Sequence, residues 1–226
     1  MKLTLIGKRV EAEAVTSFVW QPEVPLAWEA GQYLEYTLPH ENPDERGIQR
    51  WFTIASAPYE GTPMITTRVA PDRSSTFKVA LQTLEPGATI EVDAPEGDFV
   101  LGDPTAEYVF IAGGIGVTPF HSILKEADHA GTRLKVTLLY ANRSADVPFG
   151  AELDSFAAHN SNLKIIYLTD PERIDELSIR KYVPNLASSM LYVSGPEKMV
   201  KGIAAELVRL GATEGNIKMD DFPGYD

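Results

Sequence analysis

The sequence predicts two successive folds: an antiparallel β-barrel or sandwich over residues 1–103, then an α/β domain with a parallel sheet over residues 104–226. Three observations carry this reading. Up to about residue 103 the apolar runs are short, rich in β-branched and aromatic residues, and closely spaced by turn residues, as in all-β domains. Beyond that point apolar runs alternate with segments of helical period, the pattern of βαβ units. Between the two lies Leu101-Gly102-Asp103-Pro104, a natural joint, and no internal repeat or low-complexity tract interrupts either part.

Taken in order, the strands predicted for the first part are residues 3–6, 15–20, 32–38, 50–54, 64–69 and 89–92, with one helix at 76–84. In the second part strands are expected at 108–112, 134–140, 163–168 and 190–194, with a last one at 216–219. Residues 149–158 and 197–210 carry helical periodicity, and a further helix begins at Thr118-Pro119, with Phe120, Ile123, Leu124 and Ala127 on one face. Pro119 suits a first helical turn, where its missing N–H is no loss. Ligands of such parallel sheets bind at the carboxyl ends of the strands.

Composition excludes several classes. Thirty-two acidic against 20 basic residues give a net charge of −12, both halves are acidic, and no basic run appears, which argues against nucleic-acid binding. There is no cysteine, hence no disulfide and no cysteine-ligated iron–sulfur cluster in this chain. His40, His121, His129 and His159 lack metal-ligand spacing, so no metal is expected. The first residues do not read as a signal peptide and no apolar run is long enough to span a membrane, so a cytoplasmic location is expected.

The most informative stretch is Gly113-Gly114-Ile115-Gly116-Val117-Thr118-Pro119, between the strand at 108–112 and a helix. Clustered glycines let a ligand approach the backbone, and a helix N-terminus offers free amides and a positive dipole end to a phosphate. A tight turn between two core elements would use the same residues. Pro119 stands where the common dinucleotide fingerprint needs glycine or alanine, so the turn belongs to another type. Two further motifs flank it in sequence: Arg50-Trp51-Phe52-Thr53-Ile54-Ala55-Ser56 upstream and Ser194-Gly195-Pro196-Glu197-Lys198-Met199 downstream.

In this order the three motifs resemble those of the ferredoxin–NADP⁺ reductase superfamily: R-x-Y/F-S/T-x-x-S for flavin, G-G-x-G-x-T/S-P for pyridine nucleotide, and C-G-P-x-x-M with Ser194 in place of the cysteine. The resemblance runs from about Lys8 to Tyr225. It implies a flavin-binding β-barrel at 1–103 and an NAD(P)-binding domain at 104–226. Arg50, Trp51, Phe52, Thr53, Ser56, Ser75 and Thr76 would then hold the flavin, FAD as the family's common cofactor, with FMN open. Arg50 offers a planar fork for a flavin phosphate, although pairing with a surface carboxylate is an alternative. Phe52 would pack on the ring system and Thr53 would stand near the flavin N5, which makes it a catalytic candidate. Ser75 and Thr76 resemble a second phosphate element, and ordinary N-capping explains the same residue types.

On the nucleotide side the resemblance assigns Gly113, Gly114, Gly116, Thr118, Gly195 and Pro196 to cofactor contacts, with Ser194 beside the nicotinamide. Asp220 falls where many relatives have glutamate, and with Ser194 and Thr53 it completes the catalytic candidates. Phe222 or Tyr225 would cover the flavin face, an unstructured acidic tail being the alternative. Arg143, after the second strand of this domain, favours NADPH over NADH, because an arginine there accommodates a 2′-phosphate. The function implied is hydride transfer between NAD(P)H and bound flavin, with electrons passed to an external acceptor such as ferredoxin, flavodoxin or another redox protein. An electron-transfer subunit of a larger complex and a reductase of free flavins or quinones are the alternatives, ahead of a nucleotide-binding regulator and a structural protein. The iron–sulfur partner, if one is used, would be a separate protein.

Overall fold

The apolar runs of the first hundred residues fold into one six-stranded antiparallel sheet in a computed structural model that describes residues 1–70 and 74–222. Its strands are β1 (Lys2–Ala12), β2 (Val15–Pro22), β3 (Tyr33–Thr37), β4 (Gln49–Thr53), β5 (Met64–Arg68) and β6 (Thr89–Val92), in the spatial order β4-β3-β6-β1-β2-β5. Period-two alternation turns Leu34 and Tyr36 of β3 and Ile90 and Val92 of β6 inward. They join Leu3, Leu5, Phe18, Trp20 and Ile65 in one core, closed at one end by Phe77 and Leu81 of the helix α1 (Thr76–Thr83). Just beyond β4, the Ala55 amide donates to the Met64 carbonyl of β5 at 2.8 Å, so the two outermost strands meet and the sheet curls toward closure.

Strand β1 is more than twice as long as its apolar run. Past Leu5 it continues to pair with β2 through two register shifts, between Leu5 and Gly7 and between Val10 and Ala12. There the backbone ladder needs no apolar side chain, and Val10 is 78% exposed. Hydrophobic patterning reports burial and is blind to such a two-stranded ribbon.

The second unit, Leu101–Asp226, follows the first, Met1–Val100. Its sheet is parallel, in the order β11-β10-β7-β8-β9, from β7 (Glu107–Gly113), β8 (Lys135–Asn142), β9 (Leu163–Thr169), β10 (Met190–Pro196) and β11 (Ile217–Phe222). Helices α2 (Thr118–His129), α3 (Gly150–His159), α4 (Glu176–Tyr182) and α5 (Glu197–Arg209) make the crossovers. Val109, Ile111, Leu139, Leu191 and Val193 of the central strands pack with Ile179 of α4 and with Val200, Ile203 and Leu207 of α5. Strands buried on both faces read as continuous apolar runs, which is how β7 and β10 are spelled.

Helix α4 has no counterpart in the sequence expectations. It is two turns long, and its start is fixed by Asp175, whose carboxylate accepts from the Ser178 amide while the Ser178 hydroxyl accepts from the Asp175 amide, each at 2.8 Å. Among the described residues no helix is long and apolar enough to cross a membrane, and no group of three or more His, Asp or Glu residues is placed to hold a metal.

Candidate functional site

In the second unit the glycine turn leaves the carboxyl end of β7 and leads into α2 by a single 3₁₀ turn, Gly114–Val117. Gly114 adopts φ +54°, a conformation that disfavours any side chain. Gly116 is where two chain segments touch. A Cβ there would stand 2.6 Å from the Gly195 Cα and closer still to the Ser194 carbonyl. The turn is thus pressed against the end of β10, and Gly113 lies under the Met199 thioether. Thr118 is buried and spends its hydroxyl on the Ile115 carbonyl at 3.1 Å, bracing the turn from inside. Gly195 and Pro196 form the last step of β10, directly before α5.

Ser194 is fully buried, and its hydroxyl donates to Asp220 Oδ2 at 3.0 Å. The pair exists because β10 and β11 run parallel in the register Ser194↔Asp220, Gly195↔Asp221 and Pro196↔Phe222. The acidic-aromatic terminus, with its last strand expected at 216–219, is in fact strand through Phe222. Burial pushes the Asp220 carboxyl up to about 6, the Ser194 hydrogen bond works against that rise and the Asp221 charge adds to it. The pair therefore holds a proton or a negative charge according to pH, one residue from the turn's contact with β10. Tyr225 lies outside the described residues.

Arg143 and Ser144 are exposed on the loop that follows β8. That loop returns to α3 through Phe149, which takes φ +61° and stacks on the buried His121 ring at 3.9 Å. Nearer the turn stands Asn142, the last residue of β8.

In the first unit the flavin-motif residues lie on β4 and the loop after it. Arg50 is only 3% exposed. Its Nη2 donates to Asp44 Oδ1 at 2.6 Å, and its Nη1 faces the carbonyls of Arg46, Gly47 and Gln49 at 2.9, 3.0 and 2.6 Å. The other Asp44 oxygen accepts from the Thr76 amide at 3.2 Å, and the Thr76 hydroxyl receives the Asp44 amide at 3.0 Å and meets His40 Nε2 at 2.9 Å. Partial desolvation raises the Asp44 carboxyl, but the Arg50 bond, the Arg46 amide and the Arg50 charge together hold it below its ordinary value. Lys78 is brought down to about 7 by burial and then by the charges of Arg46 and Arg50, so this corner is electropositive.

Asp44 therefore receives a guanidinium and a helix N-terminal amide, the donor set that suits a phosphate. One carboxylate stands where those donors converge. The corner fits an anionic group, with Asp44 giving way to it. Ser75 is the N-cap of α1, accepting from the Lys78 amide at 3.4 Å. Phe52 is half-buried between Tyr36 and Phe77, with ring centroids 5.8 and 5.7 Å away. Thr53 and Ser56 are buried, whereas Trp51 is 58% exposed.

Asp44, which holds Arg50, has no counterpart in the sequence expectations. Glu41, Asp44 and Glu45 are equivalent on paper, and only the fold of the 40–48 loop selects one of them.

Residues 110–205 match the family described as Oxidoreductase NAD-binding domain. Over 205 residues the chain is 29% identical to a subunit of the Na(+)-translocating NADH-quinone reductase of Shewanella denitrificans, covering 80% of this chain and 50% of that protein. The chain spans about half the length of the sequence relatives of that kind. Among solved structures it is similar to the FAD/NAD-binding domain of nitric oxide dioxygenase from Vibrio cholerae, with a TM-score of 0.85, 23% identity and 98% of both chains covered. It is also similar to a ferredoxin NADP⁺ reductase from Neisseria gonorrhoeae with bound FAD and NADP, with a TM-score of 0.81, 20% identity and 98% of both chains covered.

Proposed function

We propose that this chain, whose fold is similar to those solved structures and whose residues 110–205 match an oxidoreductase NAD-binding domain, is a member of the ferredoxin–NADP⁺ reductase superfamily and an NAD(P)H-dependent flavoprotein reductase. It exchanges reducing equivalents between NAD(P)H and bound FAD and passes electrons to a separate redox acceptor. The observation that carries the reading is the glycine turn locked against β10 beside the buried Ser194 and its hydrogen bond to the half-buried Asp220. Amides of the turn and the α2 N-terminus receive the nucleotide's diphosphate. Ser194, held by its bond to Asp220, orients the nicotinamide end, and Asp220 holds a proton below about pH 6. Arg50 and the start of α1 take the flavin phosphates in place of Asp44, with Phe52 against the ring system and Thr53 beside its reactive edge. The chemistry supplied on binding both groups is hydride transfer from reduced nicotinamide to flavin, which the protein serves by positioning and by excluding water.

Arg143 makes NADPH the preferred donor on this reading. The acceptor is a small redox protein of the ferredoxin or flavodoxin kind. A second reading, an electron-transfer subunit of a larger assembly, is favoured by the similarity to subunits of the quinone reductase over 80% of this chain. The test is reconstitution with FAD, gel filtration, and anaerobic addition of NADPH or NADH while flavin absorbance is followed. Retained flavin that bleaches on addition supports the proposal, and an acceptor screen then separates the two readings. Protein that elutes without flavin and gives no bleaching would overturn it.

A further inference from the structure

Pro196 ends β10, and Glu197, Lys198 and Met199 open the first turn of α5. From there the Met199 side chain lies over the carboxyl end of β7. A Cβ on Gly113 would stand 2.7 Å from the Met199 Cε, closer still to its Sδ, and 3.4 Å from the Pro196 Cδ. The thioether thus fills the place that a side chain at residue 113 would take, in contact with the first residue of the glycine turn. A flexible, unbranched and apolar group suits so narrow a gap. Met199 is half-buried: it packs on the core of the second unit and keeps part of its surface open to solvent. The chain has no cysteine, so its five methionines carry all of its sulfur. Met64 is 5% exposed in the first unit, whereas Met219 is 54% exposed on β11.

The geometry points to Met199 as an oxidation site that controls the glycine turn: hydrogen peroxide converts its thioether to the sulfoxide, and the protein then loses affinity for the pyridine nucleotide. The inference rests on the nucleotide reading above. In the reaction the sulfur gives up an electron pair and gains an S–O bond. The peroxide O–O bond breaks, and its second oxygen leaves as water. The product is polar, chiral and larger by one oxygen. Set against the Gly113 main chain and the Pro196 ring, that oxygen displaces the turn from its seat on β10. Methionine sulfoxide reductases restore the thioether, so the change is a reversible switch.

The full chain is treated with hydrogen peroxide, each methionine is followed by peptide mass spectrometry, and affinity for ADP-ribose, which carries the nucleotide's diphosphate without nicotinamide, is measured by isothermal titration calorimetry. Each protein is compared with itself before and after treatment. The parent is expected to lose about tenfold in affinity in step with Met199 sulfoxide, the equivalent of one hydrogen bond to a charged group, and to recover on treatment with both sulfoxide reductases. Met219→Leu is expected to lose affinity as the parent does, and Met199→Leu, a volume-conserving apolar change, to keep its starting affinity through the treatment. A Met199 that stays a thioether while Met219 is converted overturns the proposal, as does a Met199→Leu protein that peroxide weakens as much as the parent. A parent that fails to bind ADP-ribose before any oxidation overturns the nucleotide reading, and this inference with it.

Discussion

Asp220→Asn exposes the energetic cost of placing a carboxylate behind Ser194. The carboxyl sits at about 6 against an ordinary 3.8, chiefly because burial disfavours its charged form. A difference of about two pH units corresponds to roughly 3 kcal/mol. The sign follows from linkage. A group whose folded value is raised contributes stability that is present below its unfolded value and is lost as pH rises through the folded value. The parent protein should therefore lose ground to the asparagine variant between about pH 4 and pH 6, with about half of the full loss incurred by about pH 5. Asparagine keeps an oxygen that can accept from Ser194, so the hydrogen bond is preserved while the buried charge is removed. Urea unfolding of both proteins at about pH 5 and about pH 8 reads the effect: the variant's advantage should be about 1.5 kcal/mol larger at the higher pH. An advantage that does not change with pH would refute the buried-carboxylate account. Ser194→Ala should move the Asp220 titration, followed by carboxyl NMR, further up, since it removes the one bond that favours the charged form.

Gly116→Ala should destabilise the second unit by on the order of 1–3 kcal/mol or more, because its methyl meets main chain that cannot rotate away; unchanged melting with unchanged nucleotide affinity would contradict the close contact. Arg50→Ala should weaken FAD retention by about one charge-assisted bond, roughly 1.5–3 kcal/mol, whereas Asp44→Asn should strengthen it by freeing the same donors. Fluorescence titration with FAD measures both, and a pair of variants that shift affinity in the same direction would show that Asp44 does not compete with phosphate. Arg143→Ala should abolish most of a kcat/KM preference for NADPH over NADH; a variant that keeps the preference would place the discriminator elsewhere.

Much of the fold was legible because it is written in local pattern. The alternation in β3 and β6, the continuous apolar spelling of β7 and β10, and the Ser75 cap before α1 each state their structure within a few residues. The failures have a common origin. Strand β1 outruns its apolar segment because main-chain pairing with β2 needs no hydrophobic side chain. Helix α4 escaped notice because two turns carry too little periodicity, and its Asp175–Ser178 cap is its clearest mark.

By itself the sequence determined the order of the strands, the change from antiparallel to parallel sheet near residue 103 and the glycine turn at the end of β7, since periodicity and turn residues act over short distances. Tertiary structure alone decided which acid holds Arg50, that Asp220 is a strand residue facing Ser194, and that the Met199 thioether lies against Gly113. Each of these depends on the register between segments distant in the chain or on the path of a loop. A shift of one residue in a strand turns every side chain to the other face, and no local pattern records that register.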